Sequence, residues 1–139
     1  MNVIVVGVDG SETAAAAATE AARLAEATGA RLHLVTALVK QKTAVVEAPG
    51  GAWQTSTLDQ AEQLLADLAQ RLVPPGVECT TAAVSGKPAE VVVSEAERLD
   101  ASLIVVGNRR MQGAARVLGS VASDVAHHAP CSVYIAKTT

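Results

Sequence analysis

Residues 3–11 read VIVVGVDGS, a β-branched run followed at once by an acidic turn that contains glycine. A continuous apolar run of this length is typical of a strand in the middle of a sheet, where helices cover both of its faces. The alanine-rich stretch from residue 13 to 28 comes next and has a high helix propensity, which Gly29 brings to an end. The sequence therefore predicts a central strand that leads through a tight turn directly into a helix.

The same alternation continues to the end of the chain. Four further strands are predicted at residues 31–38, 77–84, 102–106 and 132–136, and three further helices at 56–72, 88–99 and 120–128. Residues 40–55 contain a Pro-Gly-Gly sequence and are predicted to form a long loop. Strands that alternate with helices imply right-handed crossovers and a parallel sheet with helices on both faces, the α/β class. A chain of 139 residues has the usual size of one domain, so we expect a single domain over residues 1–139.

The charge balance and the apolar segments argue against several classes of protein. The formal net charge is −3, and the chain has no basic run of the kind that follows a nucleic-acid backbone, so we expect no nucleic-acid partner. No apolar run approaches the roughly 20 residues of a membrane helix, and the first residues lack the pattern of a signal peptide. We therefore expect no membrane association and a cytoplasmic location. The sequence also lacks a Walker loop, a GxGxxG turn and a nucleophile elbow, which disfavours a P-loop NTPase and an ordinary dinucleotide dehydrogenase.

Polar residues follow the first and fourth predicted strands, at the sheet edge where folds of this class bind ligands. Asp9 is placed to accept hydrogen bonds from ribose hydroxyls, to coordinate a metal beside phosphate, or to cap the following helix. Gly119 and Ser120 open a helix, whose backbone N–H groups and positive dipole end suit a phosphate. The Ser120 hydroxyl would either cap this helix or bond a phosphate oxygen. Arg109 and Arg110 lie in the preceding loop and carry guanidinium groups, which either bind phosphate in a bidentate way or stay solvated.

Five stretches of the chain, by their order and spacing, resemble the universal stress protein family. They are residues 3–11, 85–90, 100–107, 119–122 and 129–133. The resemblance covers nearly the whole chain. It implies a three-layer α/β/α fold of the adenine nucleotide alpha hydrolase-like type, with a five-stranded parallel Rossmann-like sheet in the strand order 3-2-1-4-5.

The resemblance also implies a ligand, a set of contacts and a partner. The ligand would be ATP, with AMP and cyclic AMP as alternatives and Mg²⁺ as a companion ion. Asp9 would contact the ribose, and the backbone near Ala37 would bind adenine. The residues lining the ribose and the phosphates would be Gly107, Gly119, Ser120 and Val121. Members of the family usually dimerise through the last strand, which implies a homodimer through the segment that begins at Val133 and ends at Ala136.

The glycine loop departs from the family's ATP-binding pattern, which is Gly-x-x-Gly, nine further residues, and then Gly-Ser or Gly-Thr. Gly107 fits the first position and Gly119-Ser120 the last pair, but Arg110 replaces the second glycine and the interval is one residue short. A side chain at the second glycine obstructs a close approach of the backbone to phosphates if that position needs a positive φ. Gly113 would restore flexibility, and the arginines of the loop would replace lost N–H contacts with charge.

Three functions remain open from the sequence. The first is an adenine-nucleotide-binding module of the stress response, with at most slow ATP hydrolysis. The second is a dimeric interaction or regulatory module that does not bind nucleotide, because its glycine loop departs from the pattern. The third is an enzyme, a hydrolase or a nucleotidyl-transfer relative, in which Asp9 and a metal ion would form the reactive centre.

Overall fold

Strands and helices alternate along the chain, as the sequence predicts. The computed structural model describes residues 2–38, 57–108 and 118–137, and the predicted loop at 40–55 lies outside them. In the described ranges the elements are, in order, β1 (Val3–Gly7), α1 (Glu12–Thr28), β2 (Arg31–Leu38), α2 (Thr57–Leu72), β3 (Cys79–Ser85), α3 (Pro88–Arg98), β4 (Leu103–Asn108), α4 (Ser120–His128) and β5 (Ser132–Lys137).

The strands form one parallel sheet in the order β3-β2-β1-β4-β5. Strand β1 lies in the middle, where Ile4 pairs with Leu32 of β2 on one side and with Leu103 of β4 on the other. This arrangement confirms the predicted central position of the first strand and the predicted order 3-2-1-4-5. The chain moves outward from β1 through β2 to β3 and then returns to place β4 on the other side, so the order reverses between β1 and β4. Ligands of such sheets bind at the carboxyl ends of the strands at this point of reversal.

The core consists of two apolar layers, one on each face of the sheet. Alternate residues of β1 point to opposite faces: Ile4 and Val6 pack with α1 and α2, and Val3 and Val5 pack with α3 and α4. Helix α1 contributes six buried alanines to the first layer, so its backbone approaches the sheet closely. The predicted three-layer α/β/α fold is therefore confirmed.

Two element bounds differ from the prediction by two residues, for local reasons, and the others differ by one residue at most. Strand β3 begins at Cys79, two residues after the predicted start, because the N–H of Val77 donates to the carbonyl oxygen of Pro74 at 3.2 Å and keeps Val77 in the preceding turn. Strand β4 continues past Gly107 to Asn108, because Asn108 still lies opposite Lys137 of β5. This extension brings the Asn108 side chain to the carboxyl edge of the sheet.

Candidate functional site

A cavity of about 330 Å³ opens at the carboxyl ends of β1 and β4, where the strand order reverses. Its volume lies at the lower end of the range for small-molecule sites, about 300 to 1,000 Å³. The described residues that line it are Gly7, Val8, Asp9, Ser11, Thr13, Ala14, Val35, Ala37, Pro88, Val92, Val106, Gly107, Asn108, Gly119, Ser120, Val121 and Ala122.

The cavity brings together the two turns that the sequence analysis singled out. The predicted site residues on its wall are Asp9, Ala37, Gly107, Gly119, Ser120 and Val121. Three other predicted site residues, Arg109, Arg110 and Gly113, lie outside the described residues. The predicted positions thus converge on one place in the fold, although they come from four separate segments of the chain.

Asp9 is held by the residue two positions after it. Its Oδ1 atom accepts hydrogen bonds from the backbone N–H of Ser11 at 3.0 Å and from the Ser11 hydroxyl at 2.6 Å. The interpretation of Asp9 as the cap of α1 is wrong, because Ser11 is the N-cap and its Oγ accepts from the N–H of Ala14 at 3.1 Å. Gly10, with φ of 87°, turns the chain so that Ser11 takes this position. The Asp9 carboxylate is therefore exposed and oriented at the rim of the cavity.

Ser120 is the first residue of α4, and the interpretation of its hydroxyl as the helix cap is also wrong. The N-cap is Gly119, which has no side chain to bond the first turn of the helix. Because the first N–H groups of any α-helix lack partners within the helix, the start of α4 presents backbone donors and a partial positive charge to the cavity. The Ser120 side chain is exposed beside them.

Asn108 is a site residue that sequence reasoning missed. It is 2% exposed, and its Oδ1 atom accepts a hydrogen bond from the N–H of Gly119 at 2.8 Å. The bond joins the end of β4 to the start of α4, and a Cβ atom at Gly119 would lie 3.2 Å from the same oxygen. The sequence signal that could have found it is an amide side chain two residues after the predicted strand 102–106, at the edge where ligands bind.

Two glycines allow helices to approach the floor of the cavity. A Cβ atom at Gly7 would lie 2.7 Å from Cγ2 of Val92, so α3 packs directly on the end of β1. A Cβ atom at Gly107 would lie 2.8 Å from both Cγ2 and the backbone oxygen of Thr13, so α1 packs directly on β4. At distances below 3.0 Å a neighbour must shift, which is the Val92 side chain at Gly7 and both the side chain and the backbone of Thr13 at Gly107.

The wall of the cavity has an apolar part and a polar part. Val35 and Ala37 of β2 face Pro88 and Val92 of α3 on the apolar side, and these α3 residues were not predicted as site residues. The polar side carries the Asp9 carboxylate and the start of α4. Such a combination suits a ligand with an apolar ring at one end and hydroxyl or anionic groups at the other. In the described ranges, no group of three or more His, Cys, Asp or Glu side chains could hold a metal ion.

Comparison with known proteins identifies the family. The model of the universal stress protein family matches residues 1–137. The chain belongs to this family. A universal stress protein of Synechocystis sp., Sll1388, is 38% identical over 79 residues, which are 56% of this chain and 51% of the relative. The match thus spans about half the length of that relative.

Solved structures of universal stress proteins share the fold over nearly their whole length. One of them, a universal stress protein in complex with cAMP, has 26% identity and a TM-score of 0.77, with 99% of this chain and 98% of the other covered. Another, from Archaeoglobus fulgidus in complex with dAMP, has 27% identity and a TM-score of 0.73, with 97% of each chain covered. The predicted family and the predicted fold class are therefore confirmed. In the part of the chain that the structure describes, no helix is both long and apolar enough to cross a membrane.

Proposed function

We propose that this universal stress protein binds an adenine nucleotide in the cavity between Asp9 and the start of α4, and acts as a nucleotide-binding module of the stress response. The observation that carries the proposal is the cavity itself, which lies at the point of strand-order reversal and has an apolar wall opposite a polar rim. Family relatives in complex with cAMP and dAMP support an adenine nucleotide as the ligand class. ATP is the first candidate, and AMP and cyclic AMP are the alternatives.

Each part of the cavity suits one part of such a ligand. The adenine ring would lie against the apolar wall of β2 and α3, where the backbone near Ala37 is within the lining. The Asp9 carboxylate accepts hydrogen bonds, as ribose hydroxyls require, and it is already oriented by Ser11. Phosphate would lie at the start of α4, beside the Ser120 hydroxyl. A Mg²⁺ ion that accompanies ATP would be held mainly by phosphate oxygens, since no group of three or more His, Cys, Asp or Glu side chains in the described ranges could hold it.

Calorimetric titration of nucleotide-free protein tests this function. We expect saturable binding of ATP, AMP or cyclic AMP, measured with and without Mg²⁺. The Asp9→Asn variant removes the charged acceptor and should bind about tenfold more weakly, since a hydrogen bond to a charged group is worth about 1.5 to 3 kcal/mol.

The matched control is Asp100→Asn, which changes the same charge at an exposed residue before β4, on the opposite edge of the sheet. Asp100 has φ of 52°, a conformation that Asn also tolerates. This variant should bind like the wild type. No heat with any of the three nucleotides at millimolar concentration would refute the proposed function.

We also propose that the protein forms a homodimer through β5. A dimer would suit the alternative function, an interaction module that binds no nucleotide. Strand β5 lies at one edge of the described sheet, and Tyr134 in its middle is 39% exposed. An exposed edge strand offers unpaired backbone groups to a second copy. We expect a dimer in sedimentation velocity runs at micromolar concentration and a monomer for a Val133→Lys, Tyr134→Lys double variant. A monomeric wild type would refute the dimer and leave the nucleotide proposal intact.

A further inference from the structure

A polar network with a buried centre joins α3 to the two strands beneath it: His33 and Glu95 are buried, and Thr80 and Arg98 are exposed. His33 of β2 is 3% exposed, and its Nε2 atom lies 2.9 Å from Oε1 of Glu95 on α3. Its Nδ1 atom lies 2.7 Å from the hydroxyl of Thr80 on β3. Arg98, one turn further along α3, donates to both carboxylate oxygens of Glu95 at 2.9 Å. The network therefore contains a hydrogen-bonding route from β3 through β2 to α3.

The protonation of the network follows from its partners. The hydrogen bonds from Arg98, with a smaller contribution from His33, lower the pKa of Glu95 to about 2 although burial opposes this. Glu95 is therefore a carboxylate at neutral pH and only accepts, so Nε2 of His33 carries the proton that it shares with Glu95. His33 and Glu95, the two buried members, both have hydrogen-bond partners, which is the condition for buried polar groups to fix one geometry.

This network lies directly beneath the apolar wall of the cavity. Val35 follows His33 by two residues on β2 and shares its face of the sheet, and Val92 precedes Glu95 by one turn on α3. Val35 and Val92 both line the cavity and belong to the same apolar layer. The polar network and the apolar wall thus both connect β2 to α3, at neighbouring positions along these two elements.

Apolar packing alone leaves more freedom to α3 than this network does. Hydrophobic burial is non-directional, whereas a hydrogen bond weakens steeply when its distance or angle changes. Val92 lies so close to Gly7 that a Cβ atom there would be 2.7 Å from its Cγ2, and Val92 lines the cavity, so a shift of α3 changes the space available in the cavity. A directional contact outside the cavity thus connects the two elements that carry the apolar wall.

We propose that His33 and Glu95 are positioning residues for the nucleotide cavity: their hydrogen bond holds α3 against β2 and so sets the apolar wall that Val92 and Pro88 present to the base. This inference rests on the proposed function. The wall would face the base and not the phosphates. Loss of the hydrogen bond should therefore lower the affinities for adenosine and for ATP by the same factor.

The test compares three substitutions in β2 of the full chain. His33→Leu removes both hydrogen bonds, whereas His33→Gln retains a donor and an acceptor on one side chain. Leu32→Ala is the control, since Leu32 is fully buried but faces the other layer, with α1 and α2. Affinities for adenosine and ATP are measured at a temperature where each variant is folded, and hydrogen exchange of the backbone amides is measured in the free proteins.

We expect His33→Leu to lower both affinities about tenfold, because binding must then supply the roughly 1.4 kcal/mol needed to hold α3 in position. His33→Gln should recover most of this loss, and Leu32→Ala should bind like the wild type even though it is less stable. His33→Leu should also speed exchange in α3 more than in α1, with the reverse pattern for Leu32→Ala. If His33→Leu does not fold, Thr80→Val removes only the Nδ1 partner and should weaken both ligands in the same direction.

Equal affinities for the wild type and a folded His33→Leu protein, or an equal loss in Leu32→Ala, would overturn the inference. So would unchanged affinity in Thr80→Val where that variant replaces His33→Leu. If the wild type binds neither ligand, the proposed function fails, and hydrogen exchange then decides whether the bond positions α3. Exchange in α3 that is no faster in His33→Leu than in Leu32→Ala would overturn that positioning as well.

Discussion

The side-chain oxygen of Asn108 accepts a hydrogen bond from the N–H of Gly119 at 2.8 Å, across eleven positions of the chain. Gly119 is the N-cap of α4, and Asn108 accepts from the N–H of this residue, so the N–H groups of the first helical turn stay available to the cavity. The contact fixes the start of α4 relative to the end of β4. These are the two elements that form the polar side of the cavity.

Substitutions at Asn108 should separate the structural part of this contact from its electrostatic part. Asn108→Ala leaves the Gly119 N–H without its buried partner and should lower the free energy of unfolding by about 1 to 3 kcal/mol. Asn108→Asp keeps an acceptor and places a negative charge beside the start of α4, although burial of that charge costs part of the stability. We therefore expect Asn108→Asp to lower the affinity for ATP and not the affinity for adenosine. Calorimetry measures the affinities, and urea unfolding measures the stability of each variant. An equal effect on both ligands would argue against phosphate at this end of the cavity.

Gly7→Ala should displace α3 and lower the stability of the protein, and Val92→Ala should restore part of that loss. The new Cβ atom would lie 2.7 Å from Cγ2 of Val92, which must shift by several tenths of an ångström. Overpacking of this kind typically costs about 1 to 3 kcal/mol of stability. Val92→Ala removes the clashing methyl group, so we expect the double variant to be more stable than the sum of the two single effects. Strictly additive losses in denaturant unfolding would show that the two residues do not determine each other's position.

Gly107→Ala should be destabilising without such a rescue. Its Cβ atom would meet both Cγ2 of Thr13 and the backbone oxygen of Thr13 at 2.8 Å. Thr13→Ser removes the methyl group but leaves the backbone oxygen in place, so it should restore little of the lost stability. Thermal unfolding of the single and double variants measures this. Full recovery by Thr13→Ser would mean that the helix backbone yields easily at this point.

The ion pair of Glu95 predicts a pH dependence of stability. The pKa of Glu95 is lowered from 4.5 to about 2, chiefly by the hydrogen bonds from Arg98. A group whose pKa is depressed by folding stabilises the protein above its unfolded value and loses that contribution as pH falls through its folded value. The stabilisation by Glu95 is therefore complete above about pH 5 and is lost between about pH 5 and pH 2.

Urea unfolding of the wild type and of Glu95→Gln at several pH values measures this contribution. The stability difference between the two proteins should shrink by about 3 kcal/mol over that interval, which corresponds to the size of the pKa shift. The comparison cancels the other carboxylates, which titrate in both proteins. A difference that stays constant down to pH 2 would contradict the ion pair as the source of the shift.

The fold was predictable from the sequence because its signals are local. The β-branched run of β1, the alanine-rich α1 and Gly29, whose φ is 74° at the helix end, each determine their own element. The strand order came from the family resemblance, and the structure confirms it. The prediction of a parallel sheet also placed Asp9, Gly107 and Ser120 near one another, because the carboxyl ends of parallel strands meet at one edge.

The contacts that complete the candidate site were not predictable in this way. Asn108 reaches Gly119 only because α4 returns to the end of β4, and His33 and Glu95 are 62 positions apart in the chain. The capping role fell to Ser11 and not to Asp9 because of the backbone turn at Gly10. Such contacts depend on the packing distance between elements, which composition and periodicity do not encode.

The central claim is that an adenine nucleotide occupies the cavity between Asp9 and the start of α4, and its most direct test is an NMR titration of isotope-labelled protein with ATP. We predict saturable shifts of backbone amides in the lining segments around Gly7, Asp9, Gly107, Gly119 and Ser120, with small changes at the opposite edge of the sheet around Asp100. Shifts that saturate elsewhere, or none at millimolar ATP, would contradict the claim.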